Sequence, residues 1–121
     1  MTKRFIGVFL VFIMVICFSS CGSDASDYAK EHGQIAVEIV EDYLAGNLTA
    51  DAARNKLSVQ ESLLEKHIDD TEKENNHYPY SDSLVKTYIS SCSSAILLHS
   101  MGSKSKAYVE EKIKDLRKAI K

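Results

Sequence analysis

Helix-breaking residues collect at only three places past residue 26: A-G-N-L-T at 45–49, E-N-N-H-Y-P-Y-S-D at 74–82 and M-G-S-K-S at 101–105. The single proline of the chain, Pro79, lies in the second of these. Between them run stretches rich in Ala, Leu, Glu and Lys, residues that lose little side-chain freedom in a helix. Three short breaks separating four such stretches predict four helices joined by tight turns. The expected fold is all-α, a small antiparallel four-helix bundle occupying residues 27–121.

The periodicity of each stretch predicts its inward face. In the first, Asp27 to Ala45, the residues Tyr28, His32, Ile35, Ala36, Ile39, Val40 and Tyr43 fall on one side of a helical wheel, opposite Lys30, Gln34, Glu38, Glu41 and Asp42. Ser26 or Asp27 suits its N-cap. Gly46 suits the left-handed residue that ends a helix, and Thr49 a new N-cap with Asp51 in the following turn. The second helix is expected from Ala50 to Glu72, with Ala53, Leu57, Leu64, Ile68 and Thr71 inward, widened by Val59 and Leu63. A third, capped by Ser81 or Ser83, runs to about Met101. Leu84, Val85, Tyr88, Ile89, Cys92, Ala95, Ile96 and His99 share its face. Leu97, Leu98 and Met101 spill around the other side, so that end is expected to be the more completely buried. Gly102 stops it. A fourth, starting at Ser103 or Ser105, turns Tyr108, Val109, Ile113, Leu116 and Ile120 inward.

The first 26 residues follow different rules. Lys3 and Arg4 precede an apolar run, Phe5 to Phe18, interrupted only by Gly7. Its fourteen residues match a signal-peptide core and fall short of the roughly 20 a spanning helix needs. Ser19, Ser20 and Cys21 follow, then polar G-S-D-A-S-D. This order of charge, apolar run, small residues, cysteine and polar linker resembles the lipobox signal of bacterial lipoprotein precursors, with Phe18 where that family usually has Leu. The resemblance covers residues 1–20 and the cysteine. It implies cleavage between Ser20 and Cys21 and a diacylglyceryl group on the Cys21 thiol, with residues 21–26 as a short linker. The domain would then sit within about 20 Å of the bilayer, even with the linker fully extended. Two acyl chains supply the two signals that stable anchoring requires. The implied address is the cell membrane or outer membrane, facing away from the cytoplasm. Gly22, where an inner-membrane retention signal would place Asp, points to the outer membrane in a two-membrane cell; a one-membrane cell would use its outer leaflet.

Removing residues 1–20 leaves 101 residues, enough for one domain with its own core. Cys17 would leave with the leader and Cys21 would be acylated, so Cys92 would be the single free thiol and no internal disulfide could form. Charge is uneven. Gly22 to Met101 holds 6 basic and 14 acidic residues, net −8, and Gly102 onward 7 basic and 3 acidic, net +4. An acidic body with a basic tail argues against nucleic acid. The tail is expected to lie against the acidic body, with an anionic bilayer as the competing contact.

Candidate chemistry is sparse. His67, Asp69, Asp70, Glu72, Glu74 and His77 crowd one helix end but show no recognised zinc-ligand motif, and they read as a solvated face. Cys92 and His99 share a face, but seven helical residues separate them by about 10 Å, beyond hydrogen-bond reach. The serines at 90, 91, 93 and 94 lack a nucleophile-elbow context and read as a small-residue face. No catalytic residue, metal ligand or cofactor is expected. Tyr78 and Tyr80, flanking Pro79, can cover the bundle end or anchor a partner. The expected role is a non-enzymatic interaction module, tethered to the membrane by Cys21 and binding another protein. The competing role is a ligand sensor with a pocket between helices near Cys92 and His99.

Overall fold

The computed structural model describes residues 25–121. The segment 1–20, Cys21 and the linker up to Asp24 lie outside the described residues. Four helices follow in order: α1 (Asp27–Leu44), α2 (Ala50–Asn75), α3 (Tyr80–Ser100) and α4 (Lys106–Ala119). They form an all-α, up-and-down bundle with no strand among the described residues. Both α1 and α3 touch all three other helices, whereas no Cα of α2 comes within 8 Å of one in α4. The cross-section is therefore a rhombus, with α1 and α3 on its short diagonal and α2 and α4 at opposite corners.

The turns obey the chemistry of their residues. Ser26 caps α1, its hydroxyl accepting from the Ala29 amide at 3.1 Å, and Thr49 caps α2 through Ala52 at 3.1 Å. Gly46 and Gly102 take φ of +84° and +78°, the left-handed geometry that glycine adopts without strain. Asn76 takes the same region at φ +51°, ending α2 three residues later than its hydrophobic pattern suggests. In turn α3 begins at Tyr80, ahead of Ser81 and Ser83; Pro79 holds the N-cap position and offers no side-chain bond. The first turn is closed instead by the backbone, the Ser83 amide donating to the Pro79 carbonyl at 3.1 Å.

Leu57, Leu64, Val85, Ile89, Cys92, Ile96, Val109 and Leu116 are wholly buried, and Ala36 and Val40 complete the centre from α1. Three expected faces need correction. In α1 the buried face is turned toward Ala29, Gly33 and Val37, leaving Ile35 exposed. The cause is the short diagonal: close approach of α1 to α3 selects small residues for the seam. In α2, Val59 and Leu63 point to solvent while Gln60 is buried, because only the Ala53–Leu57–Leu64 row fits between two neighbours. In α3, Leu84 is exposed and Met101 is 67% exposed. Leu97 and Leu98 are half-buried, so that end is not the better covered one.

Candidate functional site

A polar cluster occupies the end of the bundle where the chain enters at Ala25. Asp82, on the first turn of α3, is 3% exposed. Its Oδ1 accepts the Ser26 amide at 2.7 Å and its Oδ2 the Ser26 hydroxyl at 2.7 Å. His67, from α2, brings Nε2 to 3.3 Å from Ser26 Oγ and 3.2 Å from Asp82 Oδ2. The Ser26 proton is committed to Asp82, so Nε2 is the donor, sharing its hydrogen between the two oxygens. Tyr28 stacks on His67, with ring centroids 4.3 Å apart and planes at 17°, and leans on His32 at 4.3 Å. His32 Nδ1 donates to Gln60 Oε1 at 2.6 Å.

Serine, histidine and aspartate together invite comparison with a hydrolytic triad, and the connectivity answers it. A triad places the carboxylate on one ring nitrogen and the hydroxyl on the other, so that the imidazole can take the hydroxyl proton. Here both oxygens meet the same Nε2, and the hydroxyl is spent capping α1 while donating to Asp82. The cluster is a clamp. It ties the first residues of α1 to α2 and α3 at the point where residues 1–24 join the domain. Asp82 stands three residues before Val85 and seven before Ile89, and Gln60 stands between Leu57 and Leu64. A polar residue on a core row was the signal for both.

At the opposite end, His99 Nδ1 and the Tyr43 hydroxyl are 2.6 Å apart, the rings at right angles. Burial pushes the Tyr43 phenol above its usual range. Cys92 is buried, and burial, reinforced by Asp115, pushes its thiol up to about 12. A thiol so protonated is no nucleophile near neutral pH. Among the described residues no group of three His, Cys, Asp or Glu side chains converges on a metal position; His77 and Asp69 are exposed. The two tyrosines flanking Pro79 divide their roles. Tyr78 is half-buried and donates its hydroxyl to Ser83 at 3.0 Å, while Tyr80, its ring 4.9 Å away, is 73% exposed.

Among the clefts on the surface of the described residues, two flank α4, and neither of these is lined by Cys92 or His99. One, of about 430 Å³, runs over the outer face of α3 between α2 and α4. Ser90, Ser91 and Ser94 floor it, with Lys86, Tyr108 and Lys112 at its sides. It exists because α2 and α4 do not meet. The other, between α1 and α4, is bridged by Arg117, whose guanidinium lies 2.7 Å from Glu41 Oε2. Away from these sites, the exposed pair Lys66–Asp70, at 2.9 Å, shares a hydrogen bond that raises the lysine above and lowers the aspartate below its ordinary pKa, each holding the other ionised.

No protein-family model, curated protein or solved structure matches the chain. No described helix is long and apolar enough to cross a membrane.

Proposed function

We propose that the chain is a membrane-tethered lipoprotein of a bacterial envelope, anchored through Cys21 and acting as a non-enzymatic protein-interaction module. The observation that carries this reading is the leader sequence ending at Cys21, four residues ahead of Ala25, where the bundle begins. The clamp at Ser26 supports it, because a domain hung from its first residue needs that residue held to the other helices. Without the Ser26–Asp82–His67 contacts, α1 could fray from the tether upward. The inert Cys92 and the mis-wired serine cluster favour binding over covalent chemistry.

The experiment is metabolic labelling with an alkyne fatty acid, followed by membrane fractionation. The native chain takes the label and stays with membranes through a high-salt wash; Cys21→Ala takes no label and stays uncut at this site or is mis-sorted. Equal labelling of both overturns the reading. A second reading, a small-ligand sensor, is favoured by the hydroxyl-floored cleft over α3, whose donors suit a polyhydroxylated or anionic molecule. Saturable thermal stabilisation by such a ligand, lost in Ser91→Leu, would move the assignment to that class.

A further inference from the structure

The outer side of the seam between α1 and α2 is apolar where it meets solvent. Ile35, Val59 and Leu63 are 36%, 55% and 37% exposed. Ile35 stands three residues after His32 and seven after Tyr28, the two α1 rings that reach Gln60 and His67 of α2. Leu63 stands three residues after Gln60 and four before His67, and Val59 one turn before Leu63. All three therefore flank the line along which α1 meets α2. The hairpin fixes their levels. Leu44 closes α1 and Ala50 opens α2, so Ile35 and Val59, each nine residues from the turn, lie side by side. Glu38 and Lys56, each six residues from the turn, share a level too, as do Glu31 and Leu63 at thirteen.

Charge divides along the same seam. Glu31, Ile35, Glu38 and Asp42 form one exposed row on α1, and Lys56, Val59, Leu63 and Lys66 form one on α2. Lys66 is held by Asp70 of its own helix. Among the described residues Lys56 reaches no carboxylate, and Glu31, Glu38 and Asp42 reach no cation. One row is apolar with acids and the other apolar with lysines, so each matches the other better than it matches itself.

We propose that a second copy of the chain docks on this face, the two copies related by a two-fold axis parallel to the helices. This names the partner of the interaction module proposed above and rests on that reading. Rotation about such an axis over the seam exchanges left and right but keeps every level, so the α1 row of each copy lies on the α2 row of the other. Ile35 then meets Val59 of the second copy, and Glu38 meets its Lys56, each contact made twice. A two-fold axis across the helices would instead lay α1 on α1 and set Glu31, Glu38 and Asp42 against like charge. The tether requires the same choice: copies joined to residues 1–24 at Ala25 reach one bilayer together only when their helices run parallel. The face is about 27 Å long, the length of α1, and two helix diameters or about 20 Å wide. That is less than the roughly 800 Å² per partner of a standard interface, so the dimer is weak in free solution. Confinement of both copies to one membrane supplies the effective concentration it needs.

The test places Ile35→Cys and Val59→Cys in two differently tagged full-length chains expressed together, and treats intact cells with a short bismaleimide. The unsubstituted pair, whose Cys92 is buried, is the control. The expected result is a product carrying both tags, absent when Lys114→Cys on α4 replaces Ile35→Cys. Adding Glu38→Lys to the residue-35 chain should lower the yield about two- to fivefold, the worth of one exposed ion pair. Adding Lys56→Glu to the residue-59 chain should then restore it, a rescue between chains that a purely structural role would not give. No doubly tagged product, or an equal yield with Lys114→Cys, overturns the dimer. A product joining one tag to a protein of another mass assigns the face to a different partner and also overturns it. Fatty-acid labelling of the same chains reads the anchor separately. Labelled chains without the cross-link overturn the dimer and leave the anchor standing; cross-linked chains without label support the dimer and overturn the anchor.

Discussion

Cys92 is the residue whose environment leaves the plainest mark on solution behaviour. Burial raises its thiol from 9.0 to about 12. The sign follows directly: the folded chain keeps this proton where the unfolded chain has lost it, so the associated stability is intact below pH 9 and is lost between pH 9 and 12. One group changes stability by at most about 1.4 kcal/mol per pH unit. Urea unfolding between pH 9 and 11 should show this slope, and Cys92→Ala should flatten it; an unchanged slope in the variant contradicts the burial. The same thiol should react with a disulfide reagent only after denaturation. Tyr43→Phe removes the 2.6 Å contact with His99 and should cost about 0.5–1.5 kcal/mol, read from the same melts. The residue scale was the least legible in the sequence. Ser26 as a cap was readable from its identity, but its Asp82 partner lies 56 residues away, and no local pattern connects them.

Helix boundaries follow from turn chemistry, which is local, so Gly46, Thr49 and Gly102 fall where their residue types imply. Helix faces depend on neighbours, and there periodicity alone erred. A wheel ranks Val59 and Leu63 as apolar and cannot register that α2 lacks a neighbour on that side. Substitution separates the two kinds of position. Leu57→Ala and Ile89→Ala, both wholly buried, should each cost about 2–5 kcal/mol, and Val59→Ala should stay within about 0.5 kcal/mol of the native chain. Gly33 sets two effects against each other. Alanine there gains about 1 kcal/mol of helix propensity, but its methyl would overlap Ile120 and press on Val85 Cγ1 at 3.1 Å. The overlap wins if Ile120 is held by its neighbours. Gly33→Ala should then lower the melting temperature, and Gly33→Ala with Ile120→Ala should recover part of the loss. A rise in the single variant would show that the end of α4 yields.

At the scale of the whole molecule, apolar packing and the proposed tether have separate causes. Arg117–Glu41 is half-exposed at both partners, and surface pairs contribute about 0–1 kcal/mol, so high salt should barely move the melting temperature. A fall of many degrees in salt would mean that charge, and not the Val109–Ile113–Leu116 row, holds α4. The bundle itself was legible because four amphipathic stretches with short breaks leave few other ways to bury their faces. The rhombic section was not, since it depends on how α1 and α3 approach each other. The account turns on Cys21, and the intact mass of the protein isolated from its native membrane tests it most directly. It should correspond to a chain beginning at Cys21 and carrying a diacylglyceryl group, with fragmentation placing the added mass on that residue. A chain that retains residues 1–20, or an unmodified Cys21, contradicts it.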